Sequence, residues 1–192
     1  MIYKLMKIKL IKFKNVKSTN DEAIRLIKKK AYVPTIITAE NQKKGRGTMG
    51  KKWKSMKGNI FISIFFKLNQ KKINFKQFAV LNALLIKKIV SSSASKSIKI
   101  KWPNDILFQK KKFCGILQEV INYENFDYLI VGIGLNTNIA PQNKSFSSTC
   151  LKNIVGKKIS NTKMLYKIKN KYEKFLKEIN YHSFSYLKKK YK

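Results

Sequence analysis

The chain has 192 residues, of which 43 are Lys or Arg and nine are Asp or Glu, so its formal net charge is +34 at pH 7. This length suits a single domain with a substantial core. The apolar runs all fall short of the ~20 residues that a membrane-spanning helix needs. Residues 1–13 interleave Lys with Ile and Leu, which argues against a secretory signal. We therefore expect a cytoplasmic protein with no membrane partner.

The high positive charge raises the question of nucleic-acid binding. The cations are almost all Lys and are spread from end to end, while Ile, Asn, Phe and Tyr are abundant and Arg is scarce. This composition is typical of an A+T-rich genome that places Lys at solvated positions. It favours non-specific affinity for polyanions at low salt over a specific nucleic-acid partner.

The chain offers few residues for metal or triad chemistry. His182 is the only histidine, which argues against Ser-His-Asp catalysis and histidine-rich metal sites. Cys114 and Cys150 lack the spacing of metal ligands and suit a reduced compartment. Cys114 lies in an apolar run, so we predict a small core residue there and no protein-bound metal.

The first half of the chain predicts a mixture of strands and helices. Residues 8–13, 35–39 and 59–68 have the β-branched or alternating patterns of strands. Residues 22–30 have helical spacing after the N-cap groups of residues 18–21, and residues 75–90 have the pattern of a buried helix.

The second half continues this mixture. Residues 91–97 form a small-residue linker, residues 98–102, 112–121 and 128–135 predict strands, and residues 162–179 predict a basic amphipathic helix before a lysine-rich tail. Residues 141–150 are rich in Ser, Asn and Gln and predict a mobile loop. The whole pattern indicates an α/β (α+β) domain with a single mixed β-sheet packed by helices.

The most informative segment is residues 45–53, which read GRGTMGKKW. Glycine allows the backbone N–H groups to approach an anion closely, and Arg46, Lys51 and Lys52 add full positive charges. Trp53 offers a flat face for stacking a base. The segment predicts a site where a nucleotide meets a second anion, although a flexible basic surface loop has the same composition.

Four further segments carry candidate functional residues, each with a structural alternative. Residues 101–105 read KWPND, which is a common β-turn or a place where Asp105 orients an amine or binds Mg²⁺. Lys112 starts a strand that contains a glycine, which is also the pattern of a solvated lysine and a bulge. Gly132 and Gly134 interrupt a strand and suggest close approach of backbone or ligand. Residues 18–20, which read STN, are also an ordinary helix cap.

In this order and spacing, the segments resemble the catalytic domain of biotin protein ligases. The resemblance covers about residues 14–191 and rests on STN at 18–20, AENQ at 39–42, GRGTMGKKW at 45–53, KWPNDI at 101–106, KFCGILQE at 112–119 and GIGLNTN at 132–138. It implies the class II aminoacyl-tRNA-synthetase-like fold of biotin and lipoate ligases. It also implies one catalytic domain over residues 1–192, as a monomer or homodimer, without an N-terminal helix-turn-helix domain and without the C-terminal SH3-like β-barrel.

The resemblance implies an activity with two steps. Biotin and ATP, with Mg²⁺ on the phosphates, form biotinyl-5′-AMP, and biotin then passes to a lysine of a biotin carboxyl carrier protein. The implied catalytic residues are Arg46 and Lys112, which neutralise the meeting anions, and Asp105, which holds the incoming amine. The implied biotin-binding residues are Ser18, Thr19, Asn20, Gln42, Gly45, Arg46, Gly47, Thr48, Lys112 and Gly115. The implied adenylate-binding residues are Arg46, Lys51, Trp53 and Asn136.

The chain departs from the family pattern in the glycine-rich segment. Many members have GRGRxGRxW, whereas this chain has Thr48 at the second arginine and Lys51 at the third. Lys51 keeps the charge but loses the bidentate fork, and Thr48 loses a cation, so we expect a looser hold on biotinyl-AMP. The alternatives are a lipoate–protein ligase or octanoyltransferase of the same fold, a basic nucleic-acid-binding protein, and a decayed ligase that still folds.

Overall fold

The computed structural model describes residues 7–31, 33–92, 97–142 and 147–192. Most of the predicted linker at 91–97 and part of the predicted mobile loop at 141–150 lie outside these described residues. The strands are β1 (Lys9–Val16), β2 (Thr35–Gln42), β3 (Ile60–Lys67), β4 (Ile98–Lys101), β5 (Asp105–Phe108), β6 (Lys111–Tyr123) and β7 (Phe126–Leu135). The helices are α1 (Thr19–Lys28), α2 (Phe75–Ser91), α3 (Leu151–Val155), α4 (Asn161–Glu178) and α5 (Phe184–Tyr191), with one 3₁₀ turn at Thr48–Gly50.

The seven strands form one mixed sheet in the order β1-β2-β3-β7-β6-β5-β4. Strands β1 and β2 are parallel, and every other neighbouring pair is antiparallel. The interior strand β3 is mainly apolar and is buried along Ile60–Phe66. The predicted single mixed sheet is therefore confirmed.

The two faces of the sheet are covered unequally. Because side chains alternate along a strand, Ile62 and Ile64 of β3 face the large core under α2, α4 and α5, whereas Phe65 faces the smaller core under α1. Ser63 also points to the α1 face, where it bonds to Thr19 and Asn20. Helix α1 is short and leaves part of this face of the sheet uncovered. A polar pocket lies in the uncovered part.

Side-chain caps fix where the helices begin. Ser18 accepts a hydrogen bond from the N–H of Asn20 at the start of α1, and Asn74 forms a capping box with Gln77 at the start of α2. Ser160 and Ser183 cap α4 and α5 in the same way.

Predicted and observed helices agree within about three residues, but β5, α3 and α5 were not predicted. In the described ranges, no helix combines the length and the hydropathy needed to cross a bilayer.

Candidate active site

The floor of the site is made of glycines on β6 and β7. A Cβ atom on Gly132 would lie 2.3 Å from Asn20 Oδ1, and one on Gly134 would lie 2.3 Å from Trp53 Cε2. Gly115 is equally tight, since its Cβ would lie 2.7 Å from Trp53 Cζ3. Close approach does occur at Gly132 and Gly134, but the approaching groups are the side chains of Asn20 and Trp53, whereas the sequence suggested backbone or a ligand.

A polar pocket lies at the start of α1. Gln42 Oε1 accepts from the Thr19 N–H at 2.8 Å and from Thr19 Oγ1 at 3.1 Å. Asn20 uses both ends of its amide, because Oδ1 accepts from Ser63 Oγ and Nδ2 donates to Glu119 Oε2 at 2.6 Å. Ser63 and Glu119 were not assigned roles from sequence. They reach the pocket through their places on β3 and β6, which local patterns do not show.

The glycine-rich segment folds back on itself. The Gly47 N–H donates to Lys51 O at 2.7 Å, and the Trp53 N–H donates to Gly45 O at 2.9 Å. Gly45 has no room for a side chain, since a Cβ there would lie 2.7 Å from Trp53 O. Met49 occupies the tip with φ 54° and is 93% exposed. The segment is a closed turn with its own hydrogen bonds, which argues against a simple flexible loop.

Arg46 is held by two carboxylates. Its Nη1 and Nη2 donate to Glu119 Oε1 and Oε2 at 2.8 and 2.7 Å in a bidentate pair, and Nη2 also lies 3.1 Å from Asp21 Oδ1. Charge-assisted bidentate pairs of this kind fix orientation as well as charge. The cation at the centre of the glycine-rich segment is therefore anchored to both α1 and β6.

A β-bulge turns Lys112 into the site. Cys114 pairs with Ile106 and Lys112 pairs with Leu107, so Phe113 is the extra residue. Because the extra residue reverses the alternation, Lys112 lies on the same face as Gly115, whose Cβ would be 3.3 Å from Lys112 Cε. The Lys112 Nζ lies 2.7 Å from Asp105 Oδ1 and 5.4 Å from the centre of the Trp53 ring. The structure thus has both a bulge and a lysine that faces the site.

Two adjoining cavities contain nearly all of the predicted site residues. The first is lined by Ser18, Thr19, Asn20, Gln42, Arg46, Gly47, Thr48, Trp53, Asp105, Lys112 and Gly115. The second is lined by Gly47, Thr48, Lys51, Lys52, Trp53, Lys54, Lys112, Asn136 and Pro141. Gly47, Thr48, Trp53 and Lys112 line both. Gly45 alone among the predicted site residues lines neither, and it lies in the turn behind them.

Asn136 is fixed at the inner end of the second cavity. It is 1% exposed, its Nδ2 donates to Thr149 O at 3.2 Å, and its own N–H donates to Phe113 O at 2.8 Å. Asn59 holds the following turn, because its Oδ1 accepts from the N–H groups of Asn138 and Ile139, each at 3.0 Å.

Cys114 lies behind the site and is fully buried. Burial raises the pKa of its thiol far above the ordinary value, with the nearby charges of Lys112 and Asp105 as smaller and opposing influences. A thiol that stays protonated is a poor nucleophile, so the predicted role as a small core residue is confirmed. Within residues 7–31, 33–92, 97–142 and 147–192, no three His, Cys, Asp or Glu side chains cluster as metal ligands would.

Residues 12–136 match the biotin/lipoate A/B protein ligase family, and the chain belongs to that family. The bifunctional ligase/repressor BirA of Bacillus spizizenii is 31% identical over 179 residues, which are 90% of this chain and 55% of the relative. The biotin–[acetyl-CoA-carboxylase] ligase of Paracoccus denitrificans is 29% identical over 127 residues, which are 65% of this chain and 52% of the relative. The chain therefore spans about half the length of these curated relatives.

Solved structures agree with this assignment. The biotin protein ligase from Aquifex aeolicus in complex with biotin and ATP has a TM-score of 0.79 and 33% identity, and the match covers 95% of this chain and 76% of that chain. P. falciparum LipL1 in complex with lipoate has a TM-score of 0.57 and 14% identity, over 88% of this chain and 63% of that chain. The second similarity shows the shared fold alone.

Proposed function

We propose that this protein is an ATP-dependent biotin protein ligase. In this proposal it forms biotinyl-5′-AMP and pyrophosphate from biotin and ATP, and it then transfers biotin to a lysine of a biotin carboxyl carrier protein. The observation that carries the proposal is the pair of adjoining cavities, because a carboxylate in one and an α-phosphate in the other would meet at Lys112. The 33% identity to a ligase solved with biotin and ATP supports this choice of substrates.

The first cavity has the chemistry for a neutral ring that is rich in donors and acceptors. The side chains of Ser18, Thr19 and Gln42 are polar, and the first two are almost fully buried. Such a pocket rejects a ligand that leaves its polar groups unpaired. We assign the ureido ring of biotin to this end, which places the valeryl carboxylate towards Trp53 and Lys112.

The second cavity has the chemistry for a nucleotide. Lys51, Lys52 and Lys112 line it, together with Lys54, which the sequence did not indicate. Trp53 supplies an aromatic face and Asn136 a fixed amide. Cations placed where two anions must meet lower the barrier to adenylate formation, so we assign this role to Lys112 and Arg46. Asp105 then receives the incoming amine in the second step.

The proposal includes Mg²⁺ only as an ion carried by the nucleotide. The described residues provide Asp105 as a single carboxylate near Lys112, and no cluster of acidic ligands. Mg²⁺ commonly binds through substrate phosphates and one or two carboxylates, so this donor set fits an ion that arrives with ATP. A carrier protein as acceptor and a cytoplasmic location belong to the same proposal.

The test is exchange of labelled pyrophosphate into ATP, with Mg²⁺ and with biotin or lipoate added separately. We expect exchange with biotin and none with lipoate. The variant Lys112→Met should lose exchange, whereas Lys111→Met, which changes the exposed neighbour on β6, should keep it. Exchange with lipoate alone would overturn the substrate. Absence of exchange with both biotin and lipoate would overturn the proposal in favour of a decayed ligase or a basic binding protein.

A further inference from the structure

The carboxylates of this chain are few, and three of the nine contact a cation of the site. The whole sequence has nine acidic and 43 basic residues. Asp21, Asp105 and Glu119 each contact a cation of the site. Asp105 already has a role in the proposed reaction. Asp21 and Glu119 have none, although both hold Arg46.

Arginine is also rare in this sequence. Arg25 and Arg46 are the only two arginines among the 43 basic residues. Lysine supplies charge equally well, but it lacks the planar fork that engages a carboxylate through two parallel N–H groups. Arg46 makes that bidentate contact with Glu119, so the position uses the property in which arginine and lysine differ.

We propose that Glu119 is a positioning residue that, with help from Asp21, holds the guanidinium of Arg46 at the entrance of the first cavity. This inference rests on the proposed function. A guanidinium has five N–H groups. The two contacts with Glu119 and the one with Asp21 leave two groups, on Nε and Nη1, for a substrate anion. Glu119 thereby sets the orientation of the Arg46 cation before the substrate arrives. Donors fixed in this way contribute most to catalysis.

Glu119 also joins this cation to the polar pocket. Its Oε2 accepts from Asn20 Nδ2 at 2.6 Å as well as from Arg46. Asn20 is 3% exposed and continues the network to Ser63. A shift of Arg46 away from Glu119 would therefore disturb the residues assigned to the ureido ring, so the network fixes the distance between ring pocket and cation.

The variant Glu119→Gln breaks the bidentate pair and keeps the contact with Asn20. Its amide oxygen, at the position of Oε2, still accepts from Asn20 Nδ2 and from Arg46 Nη2, but its NH₂ group, at the position of Oε1, faces Arg46 Nη1 and cannot accept from it. We expect kcat for biotin-dependent pyrophosphate exchange to fall about tenfold, with the KM for ATP changed less than about twofold. The milder variant Asp21→Asn removes a half-exposed partner and should lower kcat about twofold. The matched control is Glu22→Gln on the same helix, which loses only its pair with Arg25 and should leave kcat unchanged.

A second measurement needs no turnover. In an Arg25→Lys background Arg46 is the only arginine, so the side-chain N–H signals of its guanidinium are identified directly by ¹⁵N NMR. A bidentate pair slows rotation of the guanidinium and gives separate Nη signals, which we expect to merge in Glu119→Gln. Merged signals in the parent protein, or unchanged kcat and unchanged signals in Glu119→Gln, would overturn the inference. If the wild-type protein shows no exchange, the proposed function fails, while the NMR result still decides whether Glu119 holds Arg46.

Discussion

Lys112 and Asp105 form an ion pair on the two neighbouring strands β6 and β5, with Nζ and Oδ1 2.7 Å apart. Both side chains are about one-fifth exposed, and both line the first cavity. The ion pair places Lys112, the cation proposed for adenylate formation, next to Asp105, the carboxylate proposed for the transfer step. Binding of anionic substrates by Lys112 would leave Asp105 available to a cationic amine.

The variant Asp105→Asn should therefore impair the second step more than the first. We expect transfer of biotin from preformed biotinyl-AMP to an acceptor lysine to slow about 100-fold, because general-base and positioning effects are of this size. Exchange of pyrophosphate should fall less. Rapid-quench measurement of transfer from isolated adenylate checks this, and a normal transfer rate in Asp105→Asn would end the assignment.

We expect Thr48 to weaken the binding of biotinyl-AMP. It is exposed, lines both cavities and has Asn104 Nδ2 as a distant partner at 3.5 Å from its Oγ1. We expect the wild-type protein to release biotinyl-AMP and to label lysines of unrelated proteins. Thr48→Arg adds a cation at the cavities and should reduce this labelling about tenfold.

The control for that experiment is Met49→Arg, which adds the same charge at the exposed tip of the turn. It should leave acceptor-independent labelling unchanged, as measured by blotting with streptavidin after incubation with serum albumin. Absence of labelling by the wild-type protein, or no reduction in Thr48→Arg, would contradict the prediction.

Gly134→Ala should displace the indole of Trp53. The added Cβ would lie 2.3 Å from Trp53 Cε2, so the ring must move or the strand must shift. We expect a loss of about 2 kcal/mol in the free energy of unfolding and a changed tryptophan emission in a Trp102→Phe background, where Trp53 is the only indole. Ile133→Val, next along β7, points to the opposite face and should cost about 1 kcal/mol without changing the emission. Identical emission in both variants would refute the close packing.

Glu178 should make stability sensitive to acid. It is mostly buried on α4 and accepts hydrogen bonds from Lys190 Nζ at 2.9 Å and Tyr191 Oη at 2.8 Å on α5. Burial alone would raise the pKa of this carboxyl, but the hydrogen bonds and the charge of Lys190 together lower it below the ordinary 4.5. A lowered pKa in the folded state means stabilisation that is present above the ordinary pKa and lost as the pH falls through the folded pKa.

Glu178→Gln should therefore cost about 2 kcal/mol of unfolding free energy near neutral pH, and the difference from wild type should shrink towards zero below the folded pKa. Denaturant unfolding of both proteins across the acid range measures this. Lys171→Gln, at another exposed position of α4, is the control and should show no such trend. A constant difference at all pH values would contradict the lowered pKa.

Some unpredicted elements had a signal in the sequence. Lys188–Lys190 make helix α5 resemble a lysine-rich tail in the sequence, yet Ser183 provides a cap and Leu187 and Tyr191 lie one turn apart and are buried. Strand β5 had no such signal. It has four residues and follows a proline turn, and its strand conformation depends on pairing with β4 and β6.

The components of this site can be recognised in the sequence, since GRGTMGKKW, KWPND and the glycines of β7 are short and their chemistry is local. The interior strands are predictable for a similar reason, because short apolar runs rich in Ile and Phe, such as Ile60–Lys67, favour strands buried on both faces. Which charges meet in the site depends on the packing of the folded chain. Arg46 and Glu119 are 73 positions apart and Asn20 and Glu119 are 99 apart. Their contacts depend on the order of the strands in the sheet, and no periodicity in the chain records that order.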